Sequence, residues 1–136
     1  MMKDTIEIEK LYESMSGRLY NASLRIVGCS ADAEEIMHDS LLQYWRFRRK
    51  DEIRDIRGWL TSTCIRKSID KLRERHRWKD FLDHYEHYRA ILSLHLFEGY
   101  DYQEISLITG TNESTIRSLY MRGRQKLAAA LKQKNS

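Results

Sequence analysis

Proline is missing from this 136-residue chain, although average usage of about 5% would supply several. Glycine is scarce as well, with six. Strand-and-turn architectures need both residues as punctuation, so the shortage argues for an almost wholly helical fold with compact connections. Cysteine is limited to Cys29 and Cys64, which form no CxxC or other metal spacing. They read as reduced, partly buried thiols of a cytosolic protein. The N-terminus carries no basic-then-apolar signal pattern, and no apolar run approaches the length of a membrane span. A cytoplasmic location without membrane insertion is therefore expected. Also missing are a nucleophile–base arrangement, a phosphate-binding glycine loop and an HExxH motif. Neither enzymatic activity nor a cofactor is expected. His84 and His87 stand three apart with Asp83 and Glu86 nearby, but no further ligand pair accompanies them. They read as solvated or capping histidines, and no metal is expected.

What the chain does contain is charge, unevenly spread. Hydrophobic residues make up 41% and charged residues 32%, with a net charge of +4. Residues 1–45 hold four basic and eight acidic side chains, whereas residues 46–79 hold thirteen basic and five acidic. Residues 80–99 return to one basic against four acidic, and residues 100–136 carry six basic against three acidic. Two separate basic segments on two helical motifs point to two contacts with a polyanion, each neutralising phosphates. A lone basic run would more simply be a solvated face.

The segment from Tyr100 to Lys126 predicts two helices joined by a tight turn. Asp101 is a good N-cap, and Glu104 three residues on completes a capping box. Ile105, Leu107 and Ile108 supply an apolar face, and Gly110 stops the helix. Asn112 is the expected second cap, after which Ile116, Leu119, Tyr120, Leu127 and Leu131 recur at helical spacing. The second helix also carries Arg117, Arg122, Arg124 and Lys126. A short helix, a glycine turn and a basic longer helix make a helix-turn-helix signature. An ordinary helical hairpin would share the caps and the core but has no need of the basic face.

Four helical blocks are expected upstream. The first runs from about Asp4 to Val27, with Ile8, Leu11, Tyr12, Met15, Leu19, Tyr20 and Leu24 at three- and four-residue steps, and Gly28 ends it. The second, Ala31 to about Phe47 with Ser30 as cap, places Asp32, Glu34 and Glu35 in its first turn, where acidic groups suit the helix dipole. After a charged loop from Arg48 to Arg57, a third helix spans about Ile56 to Arg77, its face displaying Arg66, Lys67, Lys71, Arg73 and Arg75. A fourth spans about Asp80 to Phe97. Trp59 reads as a core anchor, and the tyrosines at 85, 88, 100, 102 and 120 as core or boundary residues. Lys132 to Ser136 are expected to fray.

On these residues the chain resembles bacterial extracytoplasmic-function sigma factors. ILSLHLFEGYDYQEISLITGTNESTIRSLYMRGRQKLAAAL is similar to their region 4, with the F-E-G, E-I-S, T-I-R-S and R-G-R-Q-K-L elements in register. DAEEIMHDSLLQYWRF resembles region 2.2, and WLTSTCIRKSIDKLRER resembles regions 2.3 and 2.4. The resemblance implies an all-α fold of two small helical domains. Residues 1–77 would be the region 2-like domain, 78–83 a very short linker, and 84–136 the region 4-like domain. It implies core RNA polymerase and promoter DNA as partners, and an anti-sigma factor that clamps both domains as a further expected one.

The resemblance also distributes the roles. Glu34, Glu35, His38, Asp39 and Gln43 of the acidic second helix would face polymerase. Arg54, Arg57, Arg66, Lys67, Lys71 and Arg73 would face the −10 strand, and the Arg48–Arg57 loop occupies the place where the family captures a flipped base. In the recognition helix Ser114, Thr115, Arg117, Ser118 and Arg122 would meet base edges of the −35 element. Arg117 suits bidentate readout of guanine, while Arg124 and Lys126 suit phosphates.

The chain departs from the family pattern at four places. Arg66 stands where an asparagine is usual, His38 where a glutamine is, and Gly123 where an alanine is. The linker is the fourth: six extended residues span only about 20 Å, less than one duplex turn of about 34–36 Å. Two other readings therefore stand beside the sigma factor. One is a sigma-like regulator that binds polymerase or DNA without supporting initiation. The other is a plain helix-turn-helix repressor, which leaves the region 2 resemblance unexplained.

Overall fold

The computed structural model describes residues 2–47, 50–75 and 85–135. Six helices cover most of them: α1 (Met2–Val27), α2 (Ser30–Arg46), α3 (Ile56–Arg75), α4 (Tyr85–Leu96), α5 (Tyr102–Thr109) and α6 (Glu113–Asn135), with a single 3₁₀ turn at Lys50–Glu52. No strand occurs among the described residues. The chain divides into two compact units, Met1–Lys71 and Leu72–Ser136.

In the first unit α1 and α2 pack as a hairpin. Gly28 makes this possible by adopting φ +66°, which a side chain would strain, while its amide closes on the Leu24 carbonyl at 2.8 Å. The expected serine cap is displaced by one residue. Ser30 is already helical, and Cys29 is the N-cap, in extended conformation and with no side-chain hydrogen bond. One extended residue after the glycine suffices to reverse the chain, so α2 begins before Ser30 can cap it. Met15, Leu19, Ala22 and Ile26 of α1 are buried with Ile36, Met37 and Leu41 of α2 and Leu60, Ile65 and Ile69 of α3. Tyr12, expected in this stripe, is 43% exposed.

Helix α3 is held to α1 by polar contacts inside that core. Cys64 Sγ lies 3.3 Å from the Leu19 carbonyl, and Ser68 Oγ lies 2.8 Å from both Ser23 Oγ and the Cys64 carbonyl. A hydroxyl has one hydrogen. If Ser68 donates to the carbonyl, Ser23 donates to Ser68, and both buried hydroxyls are satisfied. Asp55, just before the helix, caps it: its carboxylate accepts from the Gly58 amide at 2.9 Å. A Cβ at Gly58 would fall 2.3 Å from that carboxylate, so the glycine leaves room for the cap.

In the second unit α6 packs on α4 and α5. Ile91, Leu94, Ile105, Ile116, Leu119 and Tyr120 form its core. The apolar pattern extends further than the burial. Leu107 is 79% exposed, and Leu127 and Leu131 are exposed on the far end of α6. Helix α5 is only eight residues long, so a single face turns inward, and Leu107 lies off it. Helix α6 runs through Asn135, past the expected start of fraying at Lys132. His87, read from sequence as solvated or capping, is buried. His84 lies outside the described residues. Tyr88 and Tyr120 are buried, while Tyr100, Tyr102 and Trp59 are half-buried.

Candidate nucleic-acid interface

The helix-turn-helix is built as its sequence dictates. Asp101 accepts from the Glu104 amide at 2.8 Å, and Glu104 reaches back to the Asp101 amide at 3.3 Å, completing the capping box. Gly110 then takes φ +69°, and its amide donates to the Ser106 carbonyl at 2.9 Å. Side chains lock the turn. Ser106 Oγ donates to the Thr111 carbonyl at 2.6 Å, and the Thr111 amide donates to Thr109 Oγ1 at 3.3 Å. Asn112 caps α6, its Oδ1 accepting from both the amide and the hydroxyl of Ser114 at 2.9 Å. Helix α6 therefore leaves the turn at a defined angle, as base readout requires.

The candidate readers differ in what already holds them. Ser114, Ser118 and Arg122 repeat at four-residue steps along one exposed side of α6. The Ser114 hydroxyl hydrogen is taken up by Asn112, which leaves it an acceptor for a base. Thr115 is half-buried. Arg117 is 63% exposed and lies 3.3 Å from the Glu113 carboxylate. Its guanidinium also sits 5.4 Å from the Tyr102 ring centre. Arg124 is exposed, and Lys126 stands 5.2 Å from the Tyr88 ring centre, further along the helix.

In the first unit Glu34, Glu35, Asp39 and Gln43 are exposed on α2, and His38 is half-buried with its ring stacked 5.9 Å from Tyr12. Arg54, Arg57 and Arg66 are exposed, while Lys67 and Lys71 are half-buried. Structure brings two of these groups together. Asp39, Gln43 and Lys67 line one groove of about 410 Å³ with Leu42, Arg46 and Phe47. Beside it, Tyr44 and Phe47 pack on Trp59, with ring centres 5.7 Å and 5.6 Å away. This cluster fixes the end of α2 against the start of α3 and so anchors the base of the charged loop. Burial foremost, then the negative charges of Asp51 and Glu7, hold the Tyr44 phenol above its ordinary range. Arg48 and Arg49 of the loop lie outside the described residues.

Arg73 belongs to the second compact unit and is half-buried there. Its guanidinium donates to the Thr109 carbonyl at the end of α5, whereas Arg75 pairs with Glu86 at 3.5 Å. This candidate for the −10 strand is thus engaged by the protein itself, at the helix-turn-helix.

Sequence reasoning missed Tyr102, Glu113, Leu42 and Phe47 as neighbours of these sites. Glu113 could have been found from its four-residue spacing to Arg117. Tyr102 could not, because its contact with Arg117 crosses from α5 to α6. No group of three or more metal-ligating side chains occurs among the described residues, and none of the described helices is long and apolar enough to cross a membrane.

Comparison with known proteins finds two family regions on the chain. Residues 11–78 match the family described as Sigma-70 region 2, and residues 86–127 match Sigma-70, region 4. Among solved structures, the chain is similar to the sigma factor RpoE from Bartonella quintana, crystallised with the anti-sigma factor NepR. The likeness has a TM-score of 0.64 at 18% identity, covering 93% of this chain and 97% of that one. At that identity it is a likeness of fold. No curated protein matches the sequence with significance.

Proposed function

The chain belongs to the sigma-70 family, and we propose that it is an alternative sigma factor of the extracytoplasmic-function type, directing core RNA polymerase to specific promoters. The observation that carries this reading is the presence of both family regions, in order, on one chain. A repressor needs a helix-turn-helix but no region 2. In this reading residues 1–77 form the polymerase-binding and −10 domain, 78–83 the linker, and 84–136 the −35 domain.

Glu34, Glu35, His38, Asp39 and Gln43 present an acidic face to polymerase. Arg54, Arg57, Arg66, Lys67 and Lys71 supply positive charge to the melted −10 strand, where bases leave the stack and phosphates need neutralising. The recognition helix reads duplex DNA through Ser114, Thr115, Arg117, Ser118 and Arg122, positioned by phosphate contacts from Arg124 and Lys126. The sigma factor RpoE forms a complex with an anti-sigma factor, and a partner of that kind is expected for this chain too. The protein acts in the cytoplasm, where its polymerase is, and as a non-enzymatic subunit.

The spacing between the two matched regions favours a second reading. Only residues 79–85 separate them, and seven residues extended at about 3.5 Å each span about 25 Å, short of one duplex turn. A sigma-like regulator that binds polymerase without bridging both promoter elements fits that reach. Run-off transcription with core polymerase on a promoter pool, paired with a pull-down on core, separates the two. Promoter-specific transcripts establish the sigma factor, core binding without transcripts establishes the regulator, and failure to bind core overturns both.

A further inference from the structure

Three aromatic rings from three helices meet behind the recognition helix. His95 of α4 stacks on Tyr102 of α5 with ring centres 5.0 Å apart, and meets Tyr120 of α6 edge-on at 4.7 Å. Tyr102 and Tyr120 lie 5.6 Å apart. The imidazole is itself oriented, since Nδ1 lies 2.8 Å from the Tyr100 carbonyl. A carbonyl accepts only, so Nδ1 carries the hydrogen. Tyr120 is buried and Tyr102 half-buried, so the cluster is anchored on one side and open on the other.

On the open side stands Arg117. Its guanidinium is 5.4 Å from the Tyr102 ring centre, within the range over which a cation is drawn to an aromatic face. Glu113 holds it from the same helix at 3.3 Å. An exposed arginine otherwise loses much rotamer freedom when it docks on a base edge. A guanidinium already confined between a ring and a carboxylate has less to lose.

We propose that Tyr102 is a positioning residue for Arg117. Through the His95–Tyr102 stack, the first helix of the helix-turn-helix sets the pose from which Arg117 reads DNA. This rests on the reading of Arg117 as a base-contacting residue in a promoter-binding protein. It adds a specificity determinant on α5, a helix to which base readout assigns no contact, and it makes Glu113 and His95 supporting parts of the same device.

The test uses the full chain and a pool of short DNA duplexes randomised at their centre. Sequencing the pool before and after selection identifies a preferred duplex, and affinity is then measured on it and on a non-preferred one. Arg117→Ala should relax the preference at one position. Tyr102→Leu should weaken binding of the preferred duplex by about two- to fivefold, with a smaller loss on the other, while Tyr102→Phe keeps the ring and the affinity. In the Arg117→Ala background, Tyr102→Leu should add no further loss. A second readout needs no DNA: the Arg117 Nε–H resonance should move in Tyr102→Leu but not in Tyr102→Phe. If Tyr102→Leu compromises folding, the wild-type Arg117 Nε–H resonance decides the matter: a ring-current displacement from the resonances of the other exposed arginines supports the contact with Tyr102, and an undisplaced resonance overturns it. Equal losses in the leucine and phenylalanine variants, a leucine effect that persists without Arg117, or a resonance indifferent to the ring would overturn the positioning role alone. An unchanged preference in Arg117→Ala would instead sink the reading of Arg117 as a base reader, and the positioning role with it.

Discussion

Gly123 lies against Leu92: a Cβ built on the glycine would stand 3.2 Å from Leu92 Cδ1 and 3.3 Å from Tyr88 Cβ. The close approach of α6 to α4 is what this glycine provides. Alanine at 123 would gain helix propensity of about 1 kcal/mol, but the Tyr88 Cβ is tied to its backbone and cannot retreat far. The two effects oppose each other. Gly123→Ala should therefore leave stability within about 1 kcal/mol of wild type, while Gly123→Leu should lose about 1–3 kcal/mol by overpacking. Urea unfolding of the two variants measures both.

The Ser23–Ser68 pair predicts a non-additive response. Ser68→Ala leaves the buried Ser23 hydroxyl without its partner oxygen, at a cost of about 1–3 kcal/mol. Removing both hydroxyls leaves nothing unsatisfied between them. The double variant Ser23→Ala/Ser68→Ala should thus be less destabilised than the two single losses combined, by a double-mutant cycle on thermal unfolding.

His87 makes the second unit sensitive to acid. Burial lowers its folded pKa from 6.5 to about 4, so between those values the unfolded chain binds a proton that the folded chain does not. Stability is therefore fully present above about pH 6.5 and falls as the pH drops towards 4, at up to about 1.4 kcal/mol per pH unit. His87→Leu should flatten that part of the profile. Melting temperatures of the two proteins between pH 4 and 7 decide it, and parallel curves would refute the assignment.

Recognition-helix charges should separate by their salt behaviour. Lys126→Ala should weaken binding to all duplexes alike and lower the slope of log affinity against log salt by about one phosphate contact. Arg117→Ala should cost about 1–3 kcal/mol on the preferred duplex and reduce discrimination at a single base pair. Titrations at several salt concentrations, on preferred and unrelated duplexes, distinguish the two roles.

Helix ends are legible from sequence where a glycine or a side-chain cap performs the stop or start, but not at α2, where Cys29 caps without a side-chain hydrogen bond. Gly28 and Gly110 adopt the positive φ that their positions predicted, and the Asp101–Glu104 box formed as its spacing required. Capping and chain reversal are local, so a few neighbouring residues determine them. The charge alternation and the two family regions are likewise properties of the chain itself, and they were enough to expect a two-part, DNA-directed protein.

Burial along the elements was decided by the tertiary structure. Leu107, Leu127 and Leu131 have the spacing of core residues yet face outward, because periodicity marks a face without saying how far its packing partner extends. His87 is a buried group only in the folded second unit, and Tyr102 lies under Arg117 only because α5 and α6 close on one another. The same holds for the groove that joins Asp39 and Gln43 to Lys67. Each of these relations crosses from one helix to another, and the distance between two helices is set by how their side chains interlock rather than by the sequence of either one.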